Sequence, residues 1–249
     1  MINMVLIGTG NVATHLFHAF LTTENVKVIQ VYNYLEDSLS AFKKHTATTT
    51  SLEEIKDADV YLICVKDDFV AEMTKKVSFK NGIIAHTSGS VELQKSSAHS
   101  AVFYPLQTFS KNVEVDFKEI PFCLETSHKD DYKLLGGLAK SISNKVYSIS
   151  SAQRKKLHLA AVFACNFVNY LYSISEDICT ENQVPFDVLS ALIKETAKKA
   201  TLNSPKDVQT GPAVRKDQNT IQQHLDQINN ADYKEIYKLL TQSIINQHG

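Results

Sequence analysis

The sequence predicts an α/β domain built on a mostly parallel sheet, followed by an all-helical domain. Three observations carry that expectation. Short β-branched runs alternate with helix-patterned segments through the first half, a glycine-spaced turn closes the first run, and no convincing strand follows Ser151. The predicted strands are Met4 to Ile7, Lys27 to Tyr32, Val60 to Val65, Gly82 to His86, Ala101 to Tyr104 and Pro121 to Leu124. Between the first two, Val12, Leu16, Ala19 and Phe20 recur at helical spacing, which predicts a helix over Asn11 to Leu21 with one face on the sheet. Leu35 to Lys44, Asp67 to Val77 and Asp131 to Ile142 carry further helical patterns. The rhythm changes near Val146 to Ser151, and Ala152 to Glu181, Phe186 to Ala200, Asp217 to Ile228 and Tyr233 to Asn246 are all helical in pattern. Pro185 suits a helix start and Thr210-Gly211-Pro212 is a breaker. The predicted domains are residues 1–150 and 151–249.

Composition narrows the function. The 26 Lys and Arg against 27 Asp and Glu leave a net charge of -1, which offers no basic field to gather nucleic acid. Met1-Ile2-Asn3-Met4 lacks a positive leader, and no apolar run approaches the roughly 20 residues of a membrane helix. The expectation is a soluble, cytoplasmic protein with no membrane partner. Cys64, Cys123, Cys165 and Cys179 sit among apolar residues and form no C-x-x-C pair, so they read as small buried hydrophobes rather than as a zinc site or a disulfide framework. No metal is expected.

Gly8-x-Gly10-x-x-Ala13 follows the first strand and opens the first helix, the context that raises a glycine fingerprint above a simple turn. Gly8 permits the tight turn, Gly10 lets a pyrophosphate approach the backbone, and Ala13 lets helix and strand pack closely, so the fold expected is of Rossmann type. Gly8, Thr9, Gly10, Asn11 and Val12 form the candidate cofactor site, with Val65 at the end of the third strand and Asn33 and Tyr34 at the end of the second. Asn33 stands where an acid usually binds the ribose of NAD; it removes the anion that would repel the 2′-phosphate, which leans toward NADP and leaves NAD open.

Ligands of open α/β sheets gather beyond the carboxyl ends of strands. Ser88 and Gly89 in His86-Thr87-Ser88-Gly89, and Tyr104, Gln107 and Thr108 in Tyr104-Pro105-Leu106-Gln107-Thr108-Phe109, are therefore candidate substrate contacts. A polar turn and a rigid loop that packs Phe109 are the competing readings. His158, Val162, Asn166 and Asn169 recur at helical spacing in an apolar stretch, which makes a polar stripe or a satisfied buried network. Within it Lys156 or His158 could supply a proton and Asn166 could orient a substrate. Arg215 either grips a substrate carboxylate or pairs with Asp217, which suits the N-cap of the following helix.

Taken in order, Gly8-x-Gly10-x-x-Ala13, His86-x-Ser88-Gly89, the Tyr104–Phe109 loop and Gly211-Pro212-x-x-Arg215-x-Asp217-x-x-Thr220 resemble a bacterial two-domain family over essentially the whole chain. Its members join a Rossmann-like domain to a C-terminal helical domain of unknown function and are described as NADP oxidoreductases. The resemblance implies a fold similar to pyrroline-5-carboxylate reductase and to the 6-phosphogluconate and β-hydroxyacid dehydrogenases, with a 6-phosphogluconate dehydrogenase-like helical domain. It also implies a homodimer through that domain, with nicotinamide and substrate meeting between domains. The leading expectation is an NAD(P)-dependent oxidoreductase that moves hydride to or from a small carbonyl, imine or hydroxy substrate. The alternative is a non-catalytic NADP(H)-binding sensor or interaction protein.

Overall fold

The protein, seen in a computed structural model, is described over residues 1–111 and 113–248. Its strands are β1 (Ile2–Ile7), β2 (Val26–Tyr32), β3 (Ala47–Thr49), β4 (Val60–Ile63), β5 (Ile83–His86), β6 (Ser100–Pro105), β7 (Phe122–Thr126) and β8 (Val146–Ser148). They form one sheet in the order β3-β2-β1-β4-β5-β6-β7-β8. All neighbours run parallel except β6 and β7. Central strands of such a sheet are covered on both faces, and every residue of β4 and β5 is buried. Alternation along β1 divides its side chains between two cores: Met4 and Leu6 join the cluster under the first helix, Val5 and Ile7 the cluster on the opposite face.

The helix predicted over Asn11 to Leu21 is present with those bounds as α1 (Asn11–Leu21), and it buries Ala13, Leu16, Phe17 and Phe20. Two more helices, α2 (Asp67–Lys76) and α3 (Asp131–Lys140), complete the coverage. Leu35 to Lys44 is not an α-helix. Glu36–Leu39 is a single 3-10 turn continued by tight turns, because Leu39 and Phe42, three residues apart, must both reach the core. The chain can then return as β3, an edge strand too short to show in the sequence pattern.

The chain divides into two compact units at Cys165/Asn166, about one helix later than the change of rhythm suggests. The reason is α4 (Ser151–Ala161), which is held to the sheet by Arg154, an arginine with no exposed surface. A continuous helical run follows. A π-helical segment, Val162–Phe167, separates α4 from α5 (Val168–Glu181). A π turn interrupts the 3.6-residue register, so the expected stripe of His158, Asn166 and Asn169 does not persist through it. Both asparagines are exposed.

That run, Ser151–Glu181, is 31 residues long with a mean hydropathy of 1.3 in its most apolar window, enough by length and composition to cross a membrane. This corrects the expectation that no stretch reaches that length. Arg154, near the start of the run, is held in a buried ion pair with Glu125, while the apolar window itself is not buried within the chain. Cys165 is exposed and Cys179 half-buried, so only Cys64 and Cys123 are the buried hydrophobes expected of all four.

The second unit contains α5, α6 (Ser190–Leu202), α7 (Gln218–Gln227) and α8 (Ala231–His248). The Tyr233 hydroxyl donates to Asp177 at 2.5 Å and ties α8 to α5. None of α5, α6 and α8 has a buried residue, whereas Leu192 and Leu239 are 64% and 70% exposed.

Candidate active site

β1 lies between β2 and β4, the point where strand order reverses, and the glycine turn leaves its carboxyl end there. Gly8 has φ +109°, and a Cβ on it would stand 2.3 Å from the carbonyl oxygen of Cys64. Backbone conformation and space both demand glycine. Gly10 is different: it is the N-cap of α1, with ordinary φ, and a Cβ there would meet nothing within 4 Å. No side chain caps α1 and no acid lies in its first turn. Ser150 and Gln153 form a capping box on α4, and Asp217 caps α7 by accepting from the Thr220 amide and hydroxyl at 3.1 and 2.8 Å. The start of α1 therefore keeps open amide donors and the positive end of its dipole, which fits a pyrophosphate.

The other cofactor candidates gather at this turn. Val65 Cγ1 lies 3.5 Å from where a Gly8 Cβ would be, and Val12 packs against the core. The Asn33 amide donates to the Thr9 hydroxyl, while its Oδ1 accepts from Leu35 N at 3.2 Å. Tyr34 is 73% exposed beside them. Asn11 Nδ2 donates to the Phe109 carbonyl at 3.0 Å and so ties the turn to the loop after β6. A groove of about 1580 Å³ begins at Thr9 and Asn11 and continues along His15 and His18 of α1 to Thr22 just past its end; it includes none of Gly89, Tyr104 and His158.

A second polar group forms at the carboxyl end of β6. Tyr104 Oη and His158 Nδ1 are 3.1 Å apart, and both crowd over Gly89, where a Cβ would lie 2.7 Å from Nδ1 and 2.9 Å from Oη. Burial pushes the Tyr104 phenol up to about 12, so it stays protonated. One turn before His158, Arg154 Nη1 donates to Glu125 Oε2 at 2.6 Å and Nη2 to the Val91 carbonyl at 2.5 Å. The Ser151 hydroxyl donates to the same carboxylate at 2.6 Å. Burial alone would raise the Glu125 carboxyl, and its hydrogen bonds from Ser151 and Arg154 hold it below the usual range. These contacts fix α4 against β7 and the 88–93 loop, and so set where His158 can stand.

Sequence reasoning assigned neither Arg154 nor Glu125. The available signal was an arginine one turn from His158, just ahead of the apolar stretch from Leu157 to Cys165. His86 is also tied down. Its Nδ1 accepts from Ser88 N at 3.2 Å and its Nε2 meets the Glu92 carbonyl at 3.1 Å, and burial, then the Arg154 charge, pushes it down to about 4. Ser88 Oγ accepts from the amides of Ser90 and Val91 at 3.2 and 3.0 Å, so this hydroxyl organises the turn. Gln107 Oε1 likewise accepts from Thr108 N at 2.7 Å, and both residues are exposed. Lys156 is exposed two residues before His158, about 200° round the helix from it, and is not brought to Tyr104. Asn166 and Arg215 fall in the second unit; Arg215 is exposed, near enough to Asp217 to help hold that carboxyl below its usual range after the Thr220 hydrogen bonds.

An open glycine turn at the switch point of this sheet defines a Rossmann-like domain of the oxidoreductase type. Residues 3–87 match the family described as NADP oxidoreductase, coenzyme F420-dependent, the finding that supports the expected NADP cofactor, and residues 120–244 match the domain of unknown function DUF2520. A provisionally named NADP oxidoreductase from Bacteroides fragilis is 41% identical over 98% of both chains, with a TM-score of 0.90. The chain belongs to this DUF2520 family. A protein of Thermotoga maritima, 19% identical over 98% of both chains, has the same fold at a TM-score of 0.73. So does pyrroline carboxylate reductase of Plasmodium falciparum, solved with NADP bound, at 11% identity over 100% of both chains and a TM-score of 0.63. No functionally curated protein matches the sequence.

Proposed function

We propose that the protein is an NADP-dependent oxidoreductase acting on a small carbonyl, imine or hydroxy compound. The observation that carries this reading is the uncapped start of α1 behind a turn that only glycine can make at position 8. Gly8, Thr9, Gly10, Asn11 and Val12 would hold the pyrophosphate, Asn33 and Tyr34 the adenosine end, and Val65 the wall of the site. The bound dinucleotide supplies hydride chemistry; the protein supplies position and a proton. His158 is the proton-handling group, since Tyr104 and Gly89 fix one edge of its ring and leave the residue half-exposed. Ser88 shapes the adjoining turn, Gln107 and Thr108 present the loop, and Lys156, Asn166 and Arg215 are secondary candidates for substrate contact.

We also read the working form as a cytoplasmic homodimer joined through the helical domain, residues 151–249. The exposed leucines of α6 and α8 support this, being apolar surface that one copy leaves uncovered.

The test is a spectrophotometric screen of NADPH oxidation with aldehydes, ketones and cyclic imines, run on the native protein and His158→Gln. The expected outcome is turnover of one class, reduced at least about 100-fold by His158→Gln with cofactor affinity retained. Tight NADPH binding with no turnover of any class would favour a non-catalytic sensor.

A further inference from the structure

The hydrogen bonding of Tyr104 narrows the chemistry of that site, and the inference rests on the oxidoreductase reading. Among the described residues, the hydrogen-bond partner of the Tyr104 hydroxyl is His158 Nδ1. Tyr104 is 9% exposed, so its O–H has little access to water, and donating to Nδ1 would satisfy it. A neutral imidazole that accepts at Nδ1 carries its proton on Nε2. The contrast with His86 is instructive, because there both ring nitrogens are engaged and the ring is buried. His158 is half-exposed, and among the described residues its Nδ1 contact with Tyr104 is the ring's hydrogen bond, which leaves Nε2 for a substrate.

We propose that Tyr104 and His158 form a proton relay serving an oxyanion, and that the substrate is a carbonyl compound reduced to an alcohol. A dihydronicotinamide would be the hydride source. As hydride reaches the carbonyl carbon, the C=O electron pair moves to oxygen. That oxygen takes the proton from His158 Nε2, and Nδ1 takes the proton from Tyr104 Oη. The phenolate left behind recovers its proton from solvent through the ring. An alkoxide is a far stronger base than a phenolate, so the transfer runs toward the alcohol. An imine needs no such relay, because its reactive form is already protonated and cationic. Gly89 has the complementary part: any side chain there would push Oη and Nδ1 apart.

Two readouts test this. In cofactor-free protein, ¹⁵N shifts of the His158 ring should show the Nε2–H form with Nδ1 accepting, and Tyr104→Phe should give a mixture of tautomers. An Nδ1–H ring in the native protein, or no change in Tyr104→Phe, would overturn the relay whatever the cofactor does. With NADPH, carbonyls should be reduced and imines not, with kcat falling at least about 100-fold in Tyr104→Phe and KM for NADPH unchanged. Turnover of imines alone, or full kcat in Tyr104→Phe, would overturn the substrate assignment. Absence of NADPH binding would instead overturn the oxidoreductase reading, and the carbonyl assignment with it, while the ring shifts would still decide the hydrogen bond.

Discussion

The two units handle their apolar and polar groups in opposite ways. In the sheet unit, side chains from both faces of β1 and β4 are fully buried, and even a guanidinium is enclosed with its partner carboxylate. In the helical unit, Ala213 and Ile221 are the buried apolar residues among those described, and long leucines on α6 and α8 stay exposed. The difference teaches that the first unit completes its own core and can hold reactive groups in fixed geometry, whereas the second leaves apolar surface uncovered.

The contrast can be broken most severely at Arg154. Arg154→Met leaves the Glu125 carboxylate without its guanidinium and should cost about 3–5 kcal/mol in chemical denaturation. A loss below about 1 kcal/mol would mean that α4 docks by apolar packing alone. Acid is the next probe. His86, at about 4 in the folded protein, lies below its ordinary 6.5, so between those values the unfolded chain binds the extra proton. The corresponding stability is full above pH 6.5 and is lost as pH falls toward 4, by about 3 kcal/mol. His86→Gln should remove that dependence, seen as a flatter stability curve than the native protein over the same window. The smallest effect belongs to the other unit. Leu192→Glu with Leu239→Glu should leave helicity intact and weaken self-association at least about tenfold, roughly 1.4 kcal/mol, in sedimentation experiments. Unaltered association would move the contact to another face.

What could be read in the sequence followed from local physics. The six predicted strands and α1 were legible because burial on one or two faces imposes a pattern within a few residues. The three-residue strands β3 and β8 were not, since edge strands so short carry almost no pattern and are selected by their neighbours. The glycine turn was visible for the same local reason: its requirement at Gly8 arises where one strand meets the next helix. The Tyr104–His158 contact joins residues 54 apart, and the Arg154–Glu125 pair residues 29 apart. Such pairings are decided by tertiary packing, so the sequence offered His158 and Tyr104 as separate candidates for separate roles. It also placed Asn166 on the His158 stripe, because a π turn has no clear signature in residue spacing.

The central claim is that the open start of α1 receives a dinucleotide phosphate. Its most direct test is a calorimetric titration of the native protein and of Gly10→Asp with NADPH and NADH. An aspartate has room at position 10 without disturbing the fold, yet places a carboxylate where the pyrophosphate would approach. The account predicts saturable binding to the native protein, tighter for NADPH, and none to a folded Gly10→Asp. Equal binding by both proteins, or binding by neither, would contradict it.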